Sequence, residues 1–345
     1  MEHETFINFT MPVFNRLKTT QRALLALRKT TTAIPFKITV VDNGSDEGLV
    51  RALKELHKGR IIDKLFLLPK NMGIACACNI GWEMTKAQVY CKIDNDTAPL
   101  RPDWTKRLFA LWSHGRPVSN LGFAQNEDVL LANPGALHTE DGVLGICVTN
   151  LIGNGIFIPE GVSDILGMWS EEYGEYGAED GDYGLRMQFA DFPQYYYLRD
   201  GYLDSELDGT GEAEYEGHGL HKTFQHKRLF VELDGKPGYF VINHYLFSSG
   251  IRSPHVRRRY EIRDIDGEGR VDLAERGDYR ETRKALRECR RLILKHLESA
   301  PDAVGGKSYV LPHDAEDVLY GTLRNVMRDC GQDIDAFEYE RSDDV

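Results

Sequence analysis

The sequence predicts an α/β fold, with a mainly parallel sheet covered by helices on both faces. Three observations predict it. Strand-like and helix-like runs alternate through the first hundred of 345 residues, and such alternation implies crossovers between parallel strands. Phe14, Asp42, Asn71 and Asp94 fall at or just after the ends of strand-like runs, where sheets of this type bind ligands. The chain is 41% apolar and 10% aromatic, enough for a packed core, and its length implies one large domain with an extension, or two domains.

The elements follow in order. Residues 6–12 read as a strand ending at a proline, and 16–28 as a helix with Leu17, Leu24, Leu25 and Leu27 near helical spacing. A second strand at 37–42 is closed by the turn 43–46, followed by a helix at 49–56 and a third strand at 64–68. A third helix at 73–85 precedes a fourth strand at 89–94. The middle is less regular. Residues 120–141 suggest loop and edge strands, 145–158 are apolar and β-like, and 163–186 are rich in Gly, Trp, Tyr and acids. The acidic, glycine-rich run 200–219 reads as a mobile loop. Past residue 245 the character changes, and an Arg- and Leu-rich helix is expected over 279–297. The expected division is a catalytic domain at 1–245 and a mostly helical extension at 246–345.

The net charge of −12, from 54 acidic and 42 basic side chains, argues against a nucleic-acid partner, because phosphate backbones need clustered Lys and Arg. The six cysteines are scattered without metal spacing and read as buried thiols of a reducing cytoplasm. Residues 1–14 lack a basic start followed by an apolar run, so no secretory signal is expected. No apolar stretch reaches the ~20 residues of a membrane span. The Arg-rich stretch 252–259 and the helix after it either touch an anionic membrane or a phosphate-bearing acceptor, or form a solvated face.

The strongest chemical signal is Lys92-Ile93-Asp94-Asn95-Asp96. Residues two apart on a strand share a face, so the run delivers two carboxylates to one side. Hard divalent cations take such oxygens together with phosphate oxygens. A second acidic segment, Glu179-Asp180-Gly181-Asp182, precedes Arg186 and reads either as catalytic carboxylates or as an acidic helix start favoured by the helix dipole. Residues 264–275 carry acids at EF-hand spacing, giving a possible calcium site at Asp264, Asp266, Glu268, Asp272 and Glu275, with Gly269 at the turn. The competing reading is a β-hairpin around 266–269.

In order, Thr10-Met11-Pro12-Val13-Phe14-Asn15-Arg16, Val40-Val41-Asp42-Asn43-Gly44-Ser45, the segment from Asn71 to Gly81, the aspartate pair and the 179–186 element resemble the inverting family 2 glycosyltransferases, which have a GT-A fold. The resemblance implies transfer of a sugar from a nucleoside-diphosphate sugar, with UDP the favoured carrier, to a hydroxyl of a carbohydrate, glycolipid or protein acceptor. It implies that Pro12, Phe14, Arg16, Asn71, Gly73, Asn79, Asp94 and Asn95 line the donor and that Asp42 reads the base. Asp94 and Asp96 would hold Mn2+ or Mg2+, joined by His221 or His218. Asp180 would be the base, with Glu179 beside it. Asn154, Trp169 and Asp182 would border the acceptor or sugar, although Trp169 reads equally as core and Asp182 as either structural or acceptor-binding. A cytoplasmic enzyme, in contact with the membrane surface at most, is the expected setting. Two alternatives remain: a nucleotidyltransferase that makes nucleotide sugars, and a scaffold that binds them without turnover.

Overall fold

The structure, a computed structural model, describes residues 5–31, 34–106, 120–124, 137–139, 142–147, 154–175, 179–198, 203–204 and 254–280. Nearly all of them belong to one compact unit, which includes Pro254–Glu275; of a second unit, only 276–280 are described. The expected boundary at 245, the loop 200–219 apart from residues 203–204, and the expected C-terminal helix beyond residue 280 lie outside the described residues.

The first half follows the expected alternation: β1 (Ile7–Val13), α1 (Leu17–Thr30), β2 (Phe36–Asp42), α2 (Glu47–Lys58), β3 (Lys64–Leu67), α3 (Ile74–Met84) and β4 (Val89–Lys92). Then come β5 (Ala98–Pro99), β6 (Asn120–Ala124), β7 (Leu137–Thr139), β8 (Gly142–Cys147) and β9 (Ile156–Pro159). After these lie α4 (Glu160–Leu166), a 3-10 turn (Glu171–Tyr173), α5 (Glu179–Phe189), β10 (Gln194–Leu198), β11 (Leu203–Asp204), β12 (Tyr260–Ile265) and β13 (Val271–Glu275).

Nine of these strands form one sheet in the order β3-β2-β1-β4-β9-β6-β10-β8-β7. The four N-terminal strands pair in parallel, whereas β9 runs antiparallel to both β4 and β6. β1 is central and wholly buried, as a strand covered on both faces must be. One face packs Phe9, Trp104 and Phe157 among the aliphatic side chains of α1 and α2. The other packs Trp82, Tyr90, Trp169 and Tyr183 under α3, α4 and α5. α3 lies close on β1: a Cβ at Gly81 would meet the Thr10 side chain at 2.4 Å.

The segment with EF-hand spacing is a hairpin, not a calcium loop. β12 and β13 pair antiparallel, with Asp264 opposite Asp272. Asp266 Oδ1 accepts the N–H groups of Glu268 and Arg270. Glu268 pairs with Lys54, and Glu275 with Arg259. Asp266, Glu268 and Glu275 therefore serve the turn and nearby cations, and among the described residues these acids form no group able to hold a metal. Gly269, at φ 83°, accepts the Leu67 N–H on its carbonyl oxygen at 2.8 Å. Val271 packs with Val41 and Phe66. The hairpin thus covers β3, the edge strand, whose open hydrogen-bonding groups would otherwise invite pairing with another chain.

The strap before the hairpin is held just as firmly. Arg258 is buried and pairs with Glu171 and Glu83, so it is withdrawn from any membrane or acceptor phosphate. Among the described residues no helix is long and apolar enough to cross a membrane.

Candidate active site

The C-terminal ends of β1, β2 and β4 lie side by side, since β1 pairs with both neighbours. Asp42 ends β2 opposite Val13. It is 1% exposed, and its Oδ2 accepts the Ser45 N–H at 3.3 Å. Oδ1 has no hydrogen-bond partner. Burial raises its pKa, partly opposed by the Ser45 and Gly44 hydrogen bonds. A buried acceptor left unpaired costs about 1–3 kcal/mol, so this oxygen suits a ligand N–H.

Past β1 the chain turns through two consecutive left-handed residues, Asn15 at φ 54° and Arg16 at φ 62°. This backbone is unfavourable for non-glycine residues, and such strain gathers at ligand sites. It is held by contacts to both sides. The Asn15 N–H donates to Ser45 Oγ at 2.8 Å, and Asn15 Oδ1 accepts the Asp46 N–H. Arg16 reaches Asp96 Oδ2 at 2.8 Å. Asp42, Ser45, Asn15, Arg16 and Asp96 are thereby linked along one edge of the sheet. Pro12 is buried at the end of β1, and Phe14 is half-buried just beyond it.

At the end of β4, Lys92 and Asp94 pair at 2.8 Å, and the same ammonium lies 4.0 Å from Glu179 Oε1. The Lys92 side chain is 3% exposed. Burial works against its charge, yet the Asp94 and Glu179 carboxylates outweigh that and hold its pKa above the usual lysine value. Glu179 is pushed up, foremost by burial and then by the charge of Asp180, with Lys92 opposing. Asp180, half-buried, follows Glu179 on the first turn of α5 and accepts its neighbour's N–H at Oδ1. Lys92 thus links Asp94 to the acidic start of α5.

Asn154 buttresses the aspartate loop: its Oδ1 accepts the Asp94 N–H, and its Nδ2 donates to Thr97 Oγ1. Asn95 is buried and ties the loop to α1 through Thr20. Asn71 accepts from Asn43 Nδ2 and the Gly73 N–H. Gly73, at φ 93°, approaches so close to Gly174 that a Cβ would sit 2.0 Å from its carbonyl oxygen.

Three expected site residues belong instead to the interior. Asn79 is fully buried, donating to Trp169 O and Glu171 Oε1 and accepting the Trp169 N–H. Trp169 is fully buried, with its ring 4.7 Å from Tyr183 and 5.5 Å from Trp82. Asp182 is also fully buried, accepting from Tyr173 Oη and Arg186 Nε. Two residues gain roles that the sequence reading had not given them. Lys92 was legible, because two residues before Asp94 on a strand means the same face. Glu171 had no local signal: its partners Asn79, Arg258, Arg259 and Tyr260 are remote in sequence.

Asp94 and Asp96 are the carboxylates available to a divalent cation here, and each is paired with a cationic side chain, Lys92 and Arg16. Side-chain exposure is 35% for Asp94 and 13% for Asp96. Among the described residues no three His, Cys, Asp or Glu form a group able to hold a metal. Further ligands would be diphosphate oxygens and water, a set that suits Mg2+. His218 and His221 lie outside the described residues. Burial raises the Cys76, Cys78 and Cys91 thiols well above their ordinary values, so these cysteines are packing residues, not nucleophiles.

Residues 9–131 match the model of glycosyl transferase family 2. No curated protein matches in sequence. Among solved structures, S. aureus TarS 1-349 in complex with UDP-GlcNAc is 12% identical with a TM-score of 0.50, over 94% of this chain and 81% of that one. This likeness supports the same fold. A longer S. aureus TarS chain gives 13% identity and a TM-score of 0.48. That match covers 94% of this chain but only 55% of TarS. The mannosyltransferase PcManGT from Pyrobaculum calidifontis, in complex with GDP-Man and Mn2+, gives 10% and 0.42 over 98% of this chain and 79% of that one.

Proposed function

We propose, for a chain that is a glycosyltransferase with its family 2 segment at residues 9–131, that it moves a sugar from a UDP-linked donor to an acceptor hydroxyl with inversion, assisted by a divalent cation. One observation carries the reading: the Lys92 ammonium contacts Asp94 on the donor side and approaches Glu179 on the helix that bears Asp180. That link supports a shared site for Asp94 and the acidic start of α5.

The residues divide the chemistry. Asp94 and Asp96 would hold the cation, which when bound neutralises charge on the diphosphate. Asp42 Oδ1, buried and unpaired, accepts an imide N–H of the base, which favours uracil. The acceptor oxygen attacks the anomeric carbon as the bond from that carbon to the diphosphate oxygen breaks. Its proton passes to the Asp180 carboxylate, and a single displacement inverts the configuration. TarS was solved with UDP-GlcNAc, consistent with a UDP carrier here. The acceptor is expected to be a carbohydrate, glycolipid or protein hydroxyl.

Thermal shift tests the carrier. UDP with Mn2+ at about a hundred times Kd should stabilise the protein by about 2.7 kcal/mol. Asp42→Ala should weaken UDP roughly 10- to 100-fold, the worth of one hydrogen bond to a charged group. If UDP leaves the wild-type melting temperature unchanged, the carrier assignment is wrong.

A further inference from the structure

We infer that Lys92 is a positioning residue for the transfer, its ammonium fixing the aspartate-bearing end of β4 against the helix start that carries Glu179 and Asp180. The inference rests on the functional reading above and adds a residue which that reading does not need. Nothing in the metal-and-base scheme calls for a lysine here. A buried cation 2.8 Å from one site carboxylate and 4.0 Å from another is nevertheless an unusual device. Taking an ammonium out of water costs several kcal/mol unless partners repay it, and here the partners are themselves site residues.

Two consequences follow. The first is geometric. Asp94, two residues past the end of β4, and Glu179, on α5, are far apart in sequence, and the Lys92 ammonium reaches towards both. A salt bridge between them sets the gap across which the acceptor oxygen and the anomeric carbon must meet. Small misplacements in such a gap reduce the rate steeply. The second is electrostatic. An ammonium on Asp94 repels a divalent cation seeking the same carboxylate, so Lys92 keeps the cation from being held too strongly by the protein alone.

The two consequences have opposite signs in one variant, and that makes the inference testable. Lys92→Met should lower kcat by about 10²-fold while donor KM moves less than roughly threefold. Mn2+ binding in the presence of UDP, measured by calorimetry or by the free Mn2+ signal in electron paramagnetic resonance, should tighten by about tenfold. Lys92→Arg keeps the charge and should leave Mn2+ affinity near wild type. Where Lys92→Met folds poorly, Lys92→Gln, which keeps a donor without the charge, carries the same test. An unchanged kcat overturns the inference. So does a loss of kcat accompanied by weaker Mn2+ binding, which marks a collapsed site. Wild-type protein that turns over no nucleotide sugar contradicts the functional reading instead. Mn2+ affinity then still decides the electrostatic consequence: tightening supports it, and no change overturns it.

Discussion

Asp180→Asn should lower kcat by about 10²- to 10⁴-fold, the usual worth of a general base, with the melting temperature nearly unchanged. The amide keeps the shape of the side chain and can still accept the Gly181 N–H, the bond that Asp180 Oδ1 makes at 2.8 Å. It cannot take a proton from the acceptor. Donor binding should persist, because Asp42, Asp94 and Asp96 are untouched, so UDP with Mn2+ should stabilise the variant as much as wild type. A scaffold that binds nucleotide sugars without turnover predicts the same binding and no rate to lose. Comparing kcat and thermal shift on one preparation separates the two, and an Asp180→Asn variant as active as wild type removes Asp180 from the mechanism.

Arg186→Met should have the largest effect on stability. Arg186 is fully buried. It pairs with Asp182 at 2.9 Å, donates to the carbonyls of Leu166, Met168 and Pro254, and lies 4.4 Å over the Tyr183 ring. The variant loses this support for α4, for the loop at Met168 and for the start of the strap. Breaking a buried pair from one side costs about 3–5 kcal/mol, because a buried charge is left behind. For a unit of this size that is a fall on the order of 10 °C in melting temperature. Adding Asp182→Asn should restore part of it, since the stranded carboxylate goes with it. A single variant that melts like wild type contradicts the structural role assigned to the pair.

The N-terminal half was legible because its signals are local. Each strand from β1 to β4 is a short, largely apolar run, and each intervening helix has its own pattern. Asp46 even caps α2 by accepting the Leu49 N–H, within the turn expected at 43–46. The middle was less legible because its strands find their meaning at long range. β6 reads as an edge strand yet lies inside the sheet, because β10, some seventy residues on, pairs with it in parallel. Asn79 was misread for a related reason. The resemblance set it beside the donor, whereas its partners Trp169 and Glu171 lie some ninety residues on, beyond any local signal. Here residues 75–82 are buried all round: α3 lies on β1, and Glu171 binds both Asn79 and the strap residues Arg258–Tyr260. The acids at 264–275 fit two templates by spacing alone. What decides between them is the antiparallel pairing of β12 with β13, with Val271 packed against Val41 and Phe66.

The site divided along the same line. The positions of the aspartate pair and Asp42 near the ends of β4 and β2 were legible because strand ends are predictable. Trp169 and Asp182 read either as ligand-bordering or as structural residues, and both face inward, because the aromatic cluster with Tyr183 and Trp82 takes one and Arg186 takes the other.

The central claim is that Asp94 and Asp96 hold a cation on a departing nucleoside diphosphate. The most direct measurement is release of UDP from UDP-sugars by wild type, Asp94→Asn and Asp96→Asn, with Mn2+ and after chelation. The account predicts release by wild type that needs the cation and is lost in both variants. Release that survives chelation, or that Asp94→Asn and Asp96→Asn leave intact, contradicts it.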